Sequence, residues 1–232
     1  RNYFNSEQDV EDIFTTILGC EKAVIAPTMM GFFDWSALHC SNAGTFGEAY
    51  RKLEPAAIWD MDKRTSWNTH YKAIYLTNFL HENQFRFKNI SQERIDFWLA
   101  QADFVKALMY FRLAQDWGEA VVAPSTEDAS QQAKSPINTI LTEAIQAAEA
   151  ALILPTFDKL TNAQGNNINS RQYASLGTVH TLLANIYAWM GGLYDKEEYW
   201  KKAEASASLV IEGKVGFYDL VSMKDLVEKT FG

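Results

Sequence analysis

The chain has 232 residues, 47% hydrophobic and 22% charged, with 7 Trp, 10 Tyr, 14 Phe and a formal net charge of -8. That length allows a sizeable buried core. The negative balance leaves no basic stripe to displace counterions from a phosphate backbone, which speaks against nucleic acid as a partner.

No run of about 18 apolar residues is available to span a membrane. The two cysteines, Cys20 and Cys40, lack metal-ligand spacing, and composition leaves open whether they pair. ILGC at residues 17–20 has the look of a lipoprotein cleavage box. The acidic, amphipathic SEQDVEDIFTT before it instead makes Cys20 a structural cysteine. No basic and then apolar leader follows Arg1, so the chain reads as trimmed at its start.

Val10, Ile13, Phe14, Ile17 and Leu18 recur at helical spacing and predict a first helix over 7–18, stopped by Gly19. Periodicity then fades. Over 21–66, Pro27, Gly31, Gly44, Gly47 and Pro55 punctuate a segment that still carries Trp35, Phe46, Tyr50 and Trp59. Irregular stretches beyond about 15 residues are uncommon in compact domains and often functional. This aromatic-rich one is the best site candidate.

Trp67, Tyr71, Ile74, Tyr75, Asn78 and Phe79 share a face of a helix over 66–82. Ser91 caps a long helix to about residue 115, whose apolar positions include Ile95, Trp98, Leu99, Ala102, Val105, Met109 and Leu113. Phe104, Leu108 and Phe111 widen that face, so the helix is buried on two sides. Gly118 suits a left-handed cap. Residues 121–134 form a polar connection with a short extended piece at 120–122. Ser135 as cap and Pro136 at the first helical position start the next helix, over 137–153, which Pro155 stops.

After an Asn- and Gly-rich loop at 162–169, helices are expected over 171–190 and 197–212, joined by a turn at Gly191 and Gly192. No strand alternation of useful length occurs. The class is all-α, and the last two helices echo a degenerate tetratricopeptide unit, with Ala184 and Tyr187 before the turn and Trp200, Ala203, Ala207 and Ile211 after it. The helices over 91–115 and 137–153 form a second such pair.

Several blocks together resemble a known family, the SusD/RagB outer-membrane nutrient-binding lipoproteins. ADFVKALMYFRLAQDWGEAVV at 102–122 is similar to its A-x-F-x-R-A-x-x-Y-F-x-L block, with Lys106 where the pattern has Arg. WNTHYKAIYLTNFL at 67–80 and SPINTILTEAIQAAEAALILP at 135–155 resemble two further helices, and SEQDVEDIFTTILG an early one. LLANIYAWMGG with YWKKAEASASLVIEGKVGFYDL resembles its closing helical signature. The blocks run in the family's order over most of the chain, and the likeness is to the family's N-terminal, tetratricopeptide-like part only, read as a single helical domain over 1–232.

The resemblance implies non-catalytic capture of an oligosaccharide at the cell surface and its delivery to a SusC-like TonB-dependent transporter. It also implies attachment to the outer membrane through a lipid anchor that lies outside this chain, and no cofactor or metal. A peptide-importing member of the family, or a tetratricopeptide adaptor for a protein partner, remains an alternative.

The residues carry no enzyme signal. His39, His70, His81 and His180 are far apart, with no HExxH, GxSxG or P-loop. Sugars stack their C–H faces on aromatic rings and pair their hydroxyls with polar side chains. Trp67, Trp98, Trp189 and Trp200 fall at apolar helical phases and are assigned to core, as is His180. Trp35, Phe46, Tyr50 and Trp59, beside Asp34, Asn42, Asp60 and Asp62, serve either as ligand surface or as packing of the segment onto the helices. The resemblance favours the ligand surface.

Overall fold

A computed structural model of the chain describes residues 4–36, 66–123, 125–128 and 130–225, the last eleven of the first stretch by backbone alone. The described residues form six α-helices: α1 Glu7–Ser36, α2 Asn68–Asn83, α3 Gln92–Trp117, α4 Ile137–Ala150, α5 Leu176–Tyr194 and α6 Glu197–Ile211. Among them, β-pairing is limited to two isolated bridges, Ala120 with Ser135 and Thr161 with Asn167. The chain divides into two compact units, Arg1–Ile153 and Leu154–Gly232. The fold is all-α, built from tetratricopeptide-like helix pairs.

In the first unit, α3 is the central element and packs against α1, α2 and α4. It earns that place by being apolar round most of its circumference: Phe97, Trp98, Val105, Met109, Tyr110, Phe111 and Leu113 are all buried. Ser91 caps it as expected, its Oγ accepting from the Arg94 amide at 3.3 Å. Gly118 ends it at φ 71°, donating its amide to Ala114. The start of α1 is tied to α3 by one carboxylate. Glu7 Oε1 accepts from Arg94 Nε at 2.6 Å and from Trp98 Nε1 at 2.8 Å, in the first turn of α1 where a helix dipole favours a negative charge.

Two expectations change here. The first helix runs through Gly19 to Ser36, so the irregular segment read over 21–66 is helical in its first part. The cause is apolar spacing that does not stop at the glycine: Phe14, Ile17, Leu18 and Val24 are all buried on one face, and core burial outweighs the roughly 1 kcal/mol that a glycine costs a helix interior. Cys20 lies on this stretch as a buried, free thiol. The second change concerns α4, which is capped by Pro136 rather than Ser135. Ser135 is drawn away into the antiparallel bridge with Ala120, donating to its carbonyl at 2.7 Å, and the Pro136 carbonyl accepts the first turn's amides.

The second unit is the α5–α6 hairpin with the segments flanking it. Ser175 and Thr178 form a reciprocal capping box at the start of α5. The helix then passes through Gly191 and Gly192 to Tyr194, and the chain turns instead at Asp195, in the left-handed region at φ 51°. The Gly pair is therefore not the turn. A Cβ on Gly191 would stand 2.7 Å from the Trp200 indole, so this position is glycine to let that ring of α6 lie against α5. Gly177 gives Tyr218 the same access, and Tyr218 Oη bonds Ser175 Oγ at 2.9 Å.

Candidate functional site

The four aromatics singled out from the sequence do not enter the described geometry as side chains. Trp35 lies on the last turn of α1, where only the backbone is described, and Phe46, Tyr50 and Trp59 lie outside the described residues. The described side chains resume just before the first turn of α2.

There Trp67 meets Trp117, at the end of α3, with centroids 6.0 Å apart, and Tyr71 edge-on at 5.6 Å. Lys134 sits over the Trp67 ring at 5.3 Å. Tyr71 Oη donates to the Val121 carbonyl at 2.9 Å and accepts the Val121 amide at 2.7 Å, pinning the extended piece that follows α3. His70, 5% exposed, stands edge-on to Trp117 at 5.2 Å. Neither of its ring nitrogens has a hydrogen-bond partner among the described residues. Burial first, and the Arg112 guanidinium second, hold His70 down at a pKa of about 4; the Trp67 carbonyl offsets part of this without reaching hydrogen-bond geometry. His70 is thus neutral at ordinary pH, and the cluster is a close-packed clasp on Trp67.

A cleft of about 360 Å³ opens farther along the same helices, lined by residues of α2, α3 and α4. Its floor is polar although it sits on apolar faces. Asn78 and Asp103 are buried. Asn78 Oδ1 accepts from Lys106 Nζ at 2.8 Å, and its amide nitrogen donates to the Ala123 carbonyl at 3.0 Å. His81 Nε2 pairs with Asp103 Oδ1 at 2.8 Å. Glu82 on the rim accepts from the Thr126 amide and hydroxyl, which holds its carboxyl below the usual range. Glu143 and Gln146, one turn apart on α4, form the remaining wall with the methyls of Ala147 and Ala150.

No sequence motif marks this cleft. Its one legible signal was a polar residue at an apolar phase, Asn78 on the inner face of α2 and Asp103 between Ala102 and Phe104. The partners of those residues come from other helices and carry no mark of their own. The core assignment of the tryptophans holds for Trp98, which is fully buried. Trp189 and Trp200 are 42% and 49% exposed, because each lies at the margin of a two-helix unit rather than inside a three-sided one. His180 is half-buried rather than core, with burial lowering its pKa and Nδ1 left without a hydrogen-bond partner among the described residues. Among the described residues no group of three or more His, Cys, Asp or Glu could hold a metal, and no helix is long and apolar enough to cross a membrane.

Residues 32–190 match the family SusD-like_3, described as starch-binding and associating with the outer membrane. The chain belongs to the SusD-like family. Its fold agrees with this. Two SusD homologues from Bacteroides thetaiotaomicron align with the SusD-like chain at TM-scores of 0.76 and 0.73 and identities of 15% and 19%. The alignments cover 99% and 95% of this chain and 52% and 43% of theirs. A laminarin-binding SusD-like protein aligns at a TM-score of 0.72 and 15% identity, over 99% of this chain and 50% of its own. At such identities the likeness is one of fold. The SusD-like chain spans about half the length of these relatives. No curated protein matches it.

Proposed function

We propose that this chain is part of a surface glycan-binding protein that captures oligosaccharide by equilibrium binding, without catalysis, and passes it to a SusC-like TonB-dependent transporter in the outer membrane. The observation that carries the reading is the family match over residues 32–190, whose description is of starch binding at the outer membrane. A laminarin-binding protein of the same fold supports glycan as the ligand class. The protein is held at the outer membrane by a lipid anchor, and the transporter docks on the helical surface.

Trp35, Phe46, Tyr50 and Trp59 form the ligand surface in this reading. The Trp67–Trp117–His70 clasp supports the assignment by giving the segment a rigid point of return, as a stacking platform requires. The test is calorimetry of the full-length protein, and of its Trp35→Ala/Trp59→Ala form, against a panel of starch and laminarin oligosaccharides. Binding by the parent and at least a tenfold loss in the folded double variant are expected. Unchanged affinity sinks the site, and silence of the parent toward every sugar sinks the glycan reading. Co-purification with a β-barrel transporter tests delivery; recovery of a soluble partner alone points to an adaptor.

A further inference from the structure

We infer that the cleft between α2, α3 and α4 is a second ligand site, one that takes a hydroxyl-rich ligand, a short sugar or the end of a longer one, through hydrogen bonds without ring stacking. The inference rests on the glycan-binding reading and adds to it a site that uses none of the four aromatics.

The composition of the walls selects the chemistry. An anion entering the cleft meets Glu82, Asp103 and Glu143, while for a cation Lys106 is repulsive and two of the carboxylates are already engaged, Glu82 by Thr126 and Asp103 by His81. An apolar ligand would bury these groups without partners, at a cost that excludes it. A hydroxyl both donates and accepts, so it fits wherever a donor faces a carboxylate, and the cleft repeats that juxtaposition. Lys106 has spent one of its three N–H bonds on Asn78 and lies close enough to Glu82 to help lower its pKa. Asp103 has one oxygen on His81. Across from them, Glu143 and Gln146 have no hydrogen-bond partner among the described residues. Vicinal hydroxyls of a sugar ring would bridge the ammonium and amide donors to these carboxylates, with its C–H groups against Ala147 and Ala150.

Size and strength follow from the same facts. At about 360 Å³ the cleft is at the small end of ligand pockets, which begin near 300 Å³, so it suits a short sugar rather than a chain. Among the described residues no Phe, Tyr or Trp lines it. The stacking contribution is missing, and binding is expected near a Kd of about 1 mM. Such a site serves to hold an end of an oligosaccharide gripped elsewhere, where linkage raises the effective affinity.

The experiment is an amide NMR titration of the 232-residue chain with maltose and laminaribiose, with putrescine and inorganic phosphate as charged controls. Saturable shifts at Gln146, Ala147 and Ala150 with either sugar, weakened tenfold or more in Glu143→Ala and in Lys106→Arg, are the expected result. Lys106→Arg keeps a donor for Asn78 while filling the cleft, and an unchanged melting temperature shows that it folds. The Trp35→Ala/Trp59→Ala form should keep these shifts. Absence of sugar shifts at these amides, or shifts with putrescine or phosphate alone, overturns the inference. If the full-length protein still binds glycan through its aromatics in that case, the proposed function stands and only the cleft falls.

Discussion

The pairs α3–α4 and α5–α6 join helices of similar character by different means. In the first unit α3 is enclosed by three neighbours and spends its circumference on large side chains, Trp98, Met109 and Tyr110 among them, all with no exposed surface. In the second unit α5 meets α6 and the segment after it through absent side chains: Gly191 receives Trp200 of α6, and Gly177 receives Tyr218 beyond it. One pair is stabilised by enclosed volume and the other by close approach. Enclosure also lets the first unit carry buried polar groups, such as Asn78, Asp103 and His70, because neighbours on three sides can supply or withhold their partners.

Trp98→Ala should produce the largest break. It removes an enclosed indole and one of the two donors to Glu7, and unfolding by denaturant should show a loss of about 3–5 kcal/mol. If the loss is under about 1 kcal/mol, α3 is not the core element that its burial indicates.

The next effect is one of pH. His70 has an ordinary pKa of 6.5 and a folded value of about 4. Above 6.5 it is neutral in both states. As pH falls from 6.5 toward 4 the unfolded chain takes up the proton first, so stability drops, by about 3 kcal/mol in full. His70→Phe should flatten that slope and leave neutral-pH stability little changed. Glu21 runs the opposite way, since burial raises its carboxyl from 4.5 to about 7 and its contribution is lost as pH rises through that window. A His70→Phe form that keeps the full acid slope would remove the clasp from the account.

Gly191→Ala and Gly177→Ala probe the second unit. Alanine favours a helix over glycine by up to about 1 kcal/mol, yet here its methyl displaces Trp200 or Tyr218. A net loss of roughly 1–2 kcal/mol is expected, with a red shift of tryptophan emission for Gly191→Ala. A gain in stability would show that the rings do not need their glycines. The smallest change belongs to the Lys201–Glu197 pair on α6, with both side chains more than 70% exposed. Glu197→Ala should move stability by no more than about 0.5 kcal/mol in a denaturant titration.

Much of the scaffold was legible beforehand. Apolar spacing marked the α2, α3 and α6 helices to within a few residues, Ser91 and Gly118 marked the limits of α3, and the block order marked the family. The failures share a cause. Gly19 and the Gly191–Gly192 pair read as breaks, since a glycine's local preference is all that a single chain displays. Whether it ends a helix or admits a ring depends on what packs against it. Ser135 misled in the same way, having a strong local cap signal but a bridge partner fifteen residues earlier at Ala120.

The sequence by itself determined that this chain is helical, acidic, rich in aromatics and built on a SusD-like pattern, because those properties reside in composition and period. Only the tertiary structure decided that α1 continues through its glycine, that Trp200 lies on Gly191, and that Asn78, Asp103, Lys106 and Glu143 line one cleft. Those outcomes depend on side chains from separate helices meeting at hydrogen-bond or van der Waals distance, which no local spacing specifies.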